Sequence, residues 1–242
     1  MSNKVLSADV LAAYRTAATS SLCTLLFKRG IRSNFVQGVT AVGQSGRRGP
    51  NMVGQAFTLR YIPAREDLNT LDVFRNPEHP QRHAVETAPP GHVLVMDCRQ
   101  DASAASAGSI LIKRLEVRGC AGVVTDGGLR DSDTIAGLTI PAFCARASAP
   151  TNLTRHQAID INVPIGCGGA PVFPGDLMVG DDDGVVVVPL HLAEEIAEEV
   201  TAMEAFEAFV FERVSAGESI IGLYPPNDET KNRYSKLSGT TS

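Results

Sequence analysis

The sequence predicts an α/β fold in which a parallel sheet is followed by a long C-terminal helix. Short apolar runs alternate with helical segments through residues 92–144, the order typical of β-α-β-α-β units in a parallel sheet. Residues 191–214 place apolar side chains at three- or four-residue steps, which predicts one amphipathic helix. Hydrophobic residues make up 43% of the chain and aromatic residues only 5%, so the core must rest on aliphatic side chains.

Before the central units, the sequence predicts one helix, a loop and a strand. Residues 7–29 carry apolar side chains at helical spacing, with Ser7 as the expected N-cap and Gly30 as the stop signal. Residues 38–54 are rich in glycine and predict a loop with short extended pieces. Residues 56–62 alternate between apolar and polar side chains, as a strand does.

Residues 63–90 form a polar stretch with several prolines, in which a short helix is expected around residues 68–74. His79 and His83 stand four residues apart here, without the Glu that a zinc protease places between such a pair. We therefore expect these histidines in an exposed loop rather than at a metal.

The central units are clearly punctuated. Strands are predicted at residues 92–97, 122–125 and 140–144, and helices at 102–118 and 132–138. Ligands of parallel α/β sheets gather beyond the carboxyl ends of the strands. The polar residues expected at those ends are Asp97, Asp126, Arg130 and Asp131.

The later part of the chain changes character. Short strands are predicted at residues 159–163, at Val172 and at residues 177–179, separated by Gly/Pro turns. Residues 181–184 (DDDG) precede VVVVP and predict a solvated hairpin turn, because the alternating ligand spacing of a calcium loop is missing. The tail after Leu223 is polar, and we expect it to be frayed.

Composition argues against several functional classes. The formal net charge is −5, and no dense basic cluster exists beyond Arg29–Arg32 and Arg47–Arg48, so a nucleic-acid partner is not expected. No apolar run approaches the roughly 20 residues of a membrane-spanning helix, and no secretory signal is visible. A membrane partner is therefore not expected either. The five cysteines are an odd number without a C-x-x-C pair, which favours a cytoplasmic location and argues against structural zinc.

Several catalytic motifs are absent from the sequence. It contains no P-loop and no G-x-S-x-G nucleophile elbow. The GQSGRRG stretch at residues 43–49 lacks the flanking strand and helix of a dinucleotide site, and we interpret it as a surface loop. Cys144 ends a predicted strand without an identifiable base, so we expect it in the core rather than as a nucleophile.

The DGGLRD motif at residues 126–131 combines groups suited to an acid and a metal. Paired glycines allow the backbone to approach a ligand closely. Arg130 offers a planar fork that matches a carboxylate, and Asp131 offers a hard oxygen of the kind that Mg²⁺ takes. A salt bridge between Arg130 and Asp131 in an ordinary loop would explain the same residues, so their chemistry alone leaves both interpretations open.

The wider sequence around this motif resembles the RraA-like family, which contains the ribonuclease activity regulator A proteins and the 4-hydroxy-4-methyl-2-oxoglutarate aldolases. The resemblance rests on GVVTDGGLRD at residues 122–131, SAGSIL at 106–111, IPAFCARASAP at 140–150 and VPIGCGGAPVFPGDLMVGDDDGVVVVP at 163–189. It covers most of the chain and implies the swivelling β/β/α fold. The expected organisation is one domain over residues 1–242, with a core at about 7–216, a variable insertion at 63–90 and a tail at 224–242.

The resemblance also implies a site and an assembly. The backbone of Gly108, Ser109, Ile110 and Leu111 would hold the carboxylate of a small 2-keto acid, Arg130 would grip that acid, and Asp131 would hold Mg²⁺, Mn²⁺ or another divalent metal, largely through waters. Asp126 and Asp133 are candidates to support the metal indirectly. Members usually assemble as trimers or dimers of trimers, so a homotrimer or hexamer is expected.

The implied activity is that of a metal-dependent lyase acting on a pyruvate-derived 2-keto acid, by retro-aldol cleavage or by decarboxylation of oxaloacetate. The alternative is a protein-binding regulator of ribonuclease E without chemistry of its own. The aldolase pattern R-D-x-x-[ED] would place an acid where this chain has Thr134, while Asp133 stands one residue earlier. The insertion at residues 63–90 is expected to reshape the substrate pocket. Because of this insertion and the displaced acid, the resemblance does not imply one particular aldolase substrate for this chain.

Overall fold

The computed structural model describes residues 4–43 and 50–238 of the chain. Most of the GQSGRRG stretch, including Arg47 and Arg48, lies outside these residues. The strands are β1 (Thr40–Ala41), β2 (Met52–Pro63), β3 (His92–Asp97), β4 (Ala105–Ala107), β5 (Gly122–Leu129), β6 (Ala142–Ala147), β7 (His156–Ile161), β8 (Ile165–Cys167), β9 (Ala170–Val172), β10 (Leu177–Gly180) and β11 (Val185–Val188). The α-helices are α1 (Ala8–Tyr14), α2 (Thr19–Lys28), α3 (Pro80–Thr87), α4 (Ser109–Val117), α5 (Ser132–Ala136), α6 (Ala193–Ser215) and α7 (Asp228–Ser238).

The main sheet is parallel at its centre and antiparallel at its flanks. Its order is β1-β6-β5-β3-β2-β10-β11, with β4 also paired to β5 and β7 to β2. Strands β2, β3, β5 and β6 run parallel to their neighbours in this central set, whereas β1, β7, β10 and β11 pair antiparallel. Strands β8 and β9 form a separate hairpin. The predicted α/β fold class with a parallel centre and a long C-terminal helix is therefore confirmed.

The residues of β3 alternate between two apolar layers, because successive side chains of a strand point to opposite faces. Leu94 and Met96 pack in a layer with Ile112 of α4. Val93 and Val95 pack in a second layer with Cys167 of the β8–β9 hairpin. A third layer joins α1, α2 and α6 to β10 and β11. The central strands are thus covered by apolar layers on both faces.

The single helix predicted for residues 7–29 is wrong, because α1 and α2 are separate helices. Asn51 explains the break: its Nδ2 donates to the carbonyl oxygens of Tyr14 at 3.0 Å and of Ala17 at 2.6 Å. These carbonyls are satisfied by a distant side chain instead of by the next helical turn. The predicted N-cap is confirmed, since Ser7 Oγ accepts from the amide of Val10 at 3.3 Å.

Two predictions next to the DGGLRD motif are also wrong. Residues 102–118 are not one helix, because β4 precedes α4. The strand predicted at residues 122–125 does not end before the motif, because β5 continues through Leu129. The cause is the same: β4 lies parallel to the end of β5, with Ala105 opposite Gly128 and Ala107 opposite Leu129. This pairing outweighs the helix propensity of the alanines, which is only a weak preference.

The polar stretch at residues 63–90 holds more structure than the sequence predicts. The expected short helix is a 3-10 helix at Leu71–Arg75, and α3 follows it with Pro80 in its first turn. The exposed-loop interpretation of His79 is wrong: the side chain is buried, with its ring 5.1 Å from that of Phe74. His83 lies on α3 and is half-buried.

The C-terminal region is ordered into helices as well. The frayed tail expected after Leu223 is wrong for the described residues, because α7 packs back onto α6 through Tyr234, whose ring lies 5.1 Å from that of Phe206. The predicted hairpin turn between β10 and β11 is confirmed, although Asp181 is not simply solvated. Its carboxylate accepts from the amide and hydroxyl of Thr19 at 2.8 and 2.7 Å and so holds the start of α2.

No single helix among residues 4–43 and 50–238 is long and apolar enough to cross a membrane, and helices α1 and α2 meet that length and composition only as a pair bent by 106°.

Candidate active site

The predicted site residues meet where β4 and β5 end side by side. The amide of Arg130 donates to the carbonyl of Ala107 at 3.1 Å, which holds the two strand ends together. Gly108 then leads into α4, and Arg130 and Asp131 lead into α5. The start of α4 and the Arg-Asp pair therefore share the carboxyl edge of the sheet, where α/β proteins bind ligands.

A cavity of about 700 Å³ opens at this edge. Five of its lining residues are predicted site residues or their direct neighbours in the motif: Gly108, Ile110, Leu111, Arg130 and Asp131. The others are Leu71, Phe74, Gln81, Arg82, Ala105, Ser106, Ala107, Thr151 and Asn152. The insertion at residues 63–90 thus supplies one wall of the cavity.

The guanidinium of Arg130 is exposed and has no counter-ion among the described residues. It forms no hydrogen bond or ion pair with any group in residues 4–43 and 50–238, Asp131 included. The interpretation of the motif as an Arg130–Asp131 salt bridge is therefore wrong. A guanidinium offers five donors in a planar fork, and here all of them remain available for an acid.

Asp131 stands in an uncommon backbone conformation that directs its side chain away from its own helix. Its φ and ψ angles are 61° and 41°, the left-handed region, which Asp adopts more readily than most residues. Its Oδ2 accepts from the amide and the hydroxyl of Ser109, both at 3.1 Å, at the start of α4. Its Oδ1 accepts from no described group, so one carboxylate oxygen of this cavity-lining residue remains available.

The start of α4 offers one further donor. The amides of Leu111 and Ile112 both donate to the carbonyl of Gly108, at 3.1 and 3.2 Å, and the amide of Ser109 is taken by Asp131. The amide of Ile110 donates to no described acceptor. Because the first amides of a helix point outward and carry a partial positive charge, this N–H is suited to an anion.

The glycines of the region have different roles from those expected. A Cβ on Gly108 would lie 2.9 Å from both Arg130 Nε and Asp131 Oδ2. Only glycine therefore allows these two side chains to pack against the start of α4. The pair in the motif instead serves strand packing: a Cβ on Gly127 would lie 2.7 Å from that of Cys98, and one on Gly128 would lie 2.6 Å from that of Ser148. The interpretation of this pair as room for a ligand is wrong.

Two predicted supporting acids lie away from the cavity lining. Asp126 is buried and accepts from the amides of Cys98, Gln100 and Gly168 at 2.6, 3.0 and 3.1 Å. Burial raises the pKa of its carboxyl, and these hydrogen bonds oppose the rise. Asp126 therefore joins the loop after β3 to the β8–β9 hairpin. Asp133 is exposed in the first turn of α5 and bonds to no described residue.

The cavity's second guanidinium, that of Arg82, was not predicted from the sequence. Arg82 Nη1 donates to Gln81 Oε1 at 3.1 Å, and its guanidinium lies 4.4 Å from the centre of the Phe74 ring. The polar composition of the insertion was the available signal, but it could not indicate which of its charged residues turns inward.

The donor set fits a hydrated hard cation. Asp131 is the only acid among the residues that line the cavity, and the described residues hold no cluster of three or more His, Cys, Asp or Glu suited to a metal. Mg²⁺ commonly binds through one or two carboxylates and keeps several waters, which the open Oδ1 allows. A structural zinc, which needs four protein ligands, does not fit.

The cysteines offer no nucleophile in this structure. All five are free, and Cys98, Cys120, Cys144 and Cys167 are buried. Burial raises the pKa of the Cys98 thiol to about 12 and raises those of Cys144 and Cys167 as well, so these thiols stay protonated near neutral pH. The expectation that Cys144 belongs to the core is confirmed.

The chain is similar in sequence and in fold to known proteins. A protein of Halalkalibacterium halodurans named "Putative 4-hydroxy-4-methyl-2-oxoglutarate aldolase" is 38% identical over 122 residues, which cover 50% of this chain and 58% of that protein. The alignments span just over half the length of this relative and of one from Methanocaldococcus jannaschii.

A crystal structure from Streptomyces coelicolor, described as RraAS2, an unusual member of the RNase ES inhibitor RraA protein family, superposes with a TM-score of 0.74. It is 29% identical, and the match covers 85% of this chain and 97% of that one. The family model described as RraA-like, Aldolase/RraA, matches residues 19–187, more than half of the chain. The chain therefore belongs to the RraA-like family.

Proposed function

We propose that this protein is a divalent-metal-dependent lyase acting on a pyruvate-derived 2-keto acid, by retro-aldol cleavage of substrates of the 4-hydroxy-4-methyl-2-oxoglutarate type, by decarboxylation of oxaloacetate, or by both. The observation that carries this proposal is the convergence of three unpaired groups in one cavity: the guanidinium of Arg130, Oδ1 of Asp131 and the amide of Ile110. The aldolase name of the Halalkalibacterium halodurans relative supports the substrate class.

Each group has a distinct task in this proposal. Arg130 binds the keto-acid end of the substrate and, as a permanent cation, stabilises the negative charge that develops there when the carbon–carbon bond breaks. The amide of Ile110 donates to the substrate carboxylate and orients it. Asp131 would hold the divalent cation through Oδ1, and that cation supplies Lewis-acid polarisation of a carbonyl. Ser109 keeps Asp131 in place through Oδ2.

The substitution Asp131→Asn tests the proposal. Asn also tolerates the left-handed backbone and keeps an oxygen for Ser109, so the fold should survive while the carboxylate charge is lost. We expect Mg²⁺-dependent pyruvate release to fall by at least about 100-fold. Pyruvate is measured by coupling to lactate dehydrogenase, with 4-hydroxy-4-methyl-2-oxoglutarate and oxaloacetate as substrates, and after subtraction of spontaneous decarboxylation.

The matched control is Asp133→Asn, which removes an exposed acid two residues away. It should retain activity within about twofold, as is usual for a surface residue outside the chemistry. EDTA should abolish turnover by the unsubstituted protein. Pyruvate release that persists in Asp131→Asn, or that is insensitive to EDTA, would exclude the proposed mechanism.

The second candidate function is regulation of ribonuclease E, and it is favoured by the similarity to the Streptomyces coelicolor inhibitor family. It is tested by adding the purified protein to a ribonuclease E cleavage assay, together with Asp131→Asn. Inhibition by both proteins, without pyruvate release by either, would favour the regulator over the lyase.

A further inference from the structure

The cavity holds more positive charge than the proposed reaction centre uses. Two guanidiniums, those of Arg82 and Arg130, line it, against the single carboxylate of Asp131. Like charges in one partly buried cavity repel each other, because the effective dielectric constant there is far below that of water. The arrangement is therefore more stable when a further anion is present.

Arg82 is held in place without a carboxylate partner. Gln81 accepts from its Nη1, and Gln81 is itself buried and donates to the carbonyl of Ser106 at 2.5 Å and to the hydroxyl of Tyr61 at 3.2 Å. Burial lowers the pKa of Arg82, and the charge of Arg130 adds to that effect. By contrast, Arg65 in the same insertion is exposed and paired with Asp67. The side chain of Arg82 is thus oriented before any ligand arrives.

Asn152 gives an independent indication of a missing partner. It lines the same cavity, only 4% of its surface is exposed, and its Nδ2 has no hydrogen-bond acceptor. Its Oδ1 accepts from Thr151 Oγ1 at 3.3 Å, which leaves the amide as the donor side. A buried donor without an acceptor is unfavourable, so a ligand that accepts from Asn152 would relieve that cost.

We propose that Arg82 and Asn152 form the subsite for the second carboxylate, which both substrates of the proposed function carry, and so set the preference for diacids over monoacids. This inference rests on the proposed function, in which Arg130 and the start of α4 take the first carboxylate. It assigns the selection between diacids and monoacids to a residue of the insertion, and it makes Arg82 a specificity residue rather than a catalytic one.

A pair of ligands that differ only at the far end tests the subsite. 2-Oxoglutarate and 2-oxopentanoate have the same five carbons, but the first ends in a carboxylate and the second in a methyl group. Isothermal titration calorimetry in the presence of Mg²⁺ gives the dissociation constant of each. We expect the unsubstituted protein to prefer 2-oxoglutarate by about 10-fold or more, the effect of one charged hydrogen-bonded contact.

Two variants address the subsite from different sides. Arg82→Gln should reduce the preference for 2-oxoglutarate to below about twofold, because it weakens the binding of the diacid only. Asn152→Asp places a negative charge in the same shape and should reverse the preference, because the second carboxylate would be repelled. The control Arg65→Gln, on the same insertion but paired outside the cavity, should keep the full preference.

The outcomes separate this inference from the proposed function. An unchanged preference in folded Arg82→Gln, no preference in the unsubstituted protein, or no binding of either ligand would overturn the subsite. A preference that depends on Arg82 in a protein that releases no pyruvate would uphold the subsite and reject the lyase. Pyruvate release without any preference for the diacid would uphold the lyase and overturn the subsite.

Discussion

At the scale of single residues, Gly108 sets how closely Arg130 and Asp131 approach the start of α4. A side chain at this position would meet Arg130 Nε and Asp131 Oδ2 at 2.9 Å, closer than atoms can stand without moving. Both contacts are with the polar ends of side chains rather than with backbone. A methyl group here would therefore displace the side chains of Arg130 and Asp131 and leave the backbone in place.

We expect Gly108→Ala to lower kcat/KM for pyruvate release by about 10- to 100-fold, because sub-ångström to ångström shifts of binding groups have costs of this size. The midpoint of thermal unfolding should change by no more than a few degrees. Gly166→Ala is the control, since a Cβ there would meet nothing within 4 Å. Unchanged activity in Gly108→Ala would show that the close approach is not needed.

At the scale of elements, Glu116 ties the end of α4 to the chain before β6. Its Oε1 accepts from the amide and hydroxyl of Thr139 at 2.6 and 2.7 Å and from the amide of Ile140 at 3.3 Å, and its Oε2 pairs with Lys113. The hydrogen bond from Lys113 and then those from Thr139 lower the pKa of this carboxyl to about 2. The charged form of Glu116 therefore stabilises the folded chain.

This lowered pKa predicts how stability depends on pH. A carboxyl whose pKa falls on folding stabilises the protein above its unfolded pKa of about 4.3, and that contribution is lost as the pH falls towards the folded value. Glu116→Gln should lower the free energy of unfolding by about 1 kcal/mol at pH 7. The difference from the unsubstituted protein should shrink between pH 5 and pH 2, as followed by urea unfolding monitored by circular dichroism.

Glu198 is an exposed acid of α6, and Glu198→Gln serves as the control. It should neither lower the free energy of unfolding at pH 7 nor change how that free energy depends on pH. A Glu116→Gln difference that stays constant with pH would contradict the assigned role of the carboxylate charge.

At the scale of the whole molecule, β2 is the element on which the layers converge. It pairs with β3, β7 and β10, and so it joins the parallel centre of the sheet to its antiparallel flanks. Leu59, near its end, is fully buried in the layer beneath α4. Damage to this strand should therefore weaken the site and the flanks together.

We expect Leu59→Ala to lower the free energy of unfolding by about 2–5 kcal/mol, the usual cost of a cavity in a packed core. Urea unfolding should remain a single transition by both fluorescence and circular dichroism if the layers unfold as one unit. Leu68→Ala, whose side chain is 58% exposed, should change stability by less than about 0.5 kcal/mol. A loss below 1 kcal/mol in Leu59→Ala would contradict this account of the core.

The trimeric or hexameric assembly stays a prediction, which light scattering coupled to gel filtration would test. Apolar side chains that such an assembly could cover are exposed near the end of α6 and just after it, at Phe211, Ile220 and Ile221.

Local pattern alone determined the parts of this protein in which a few neighbouring residues carry the signal. The strand at residues 92–97 was predicted with its observed bounds, because a buried parallel strand is a short apolar run with clear stops. The Arg130–Asp131 pair could be found by its chemistry, and the family by the spacing of its motifs. None of these depends on contacts between residues that are far apart in sequence.

Tertiary structure alone decided which polar residues face the cavity. Asp126 and Asp131 both belong to the DGGLRD motif, yet backbone amides from two distant loops bury the first, while a left-handed turn directs the second to the start of α4. β4 became a strand only because β5 offered it partners. Arg82 entered the site only because α3 packs beside it. These outcomes depend on contacts between residues far apart in sequence, which local periodicity and composition do not encode.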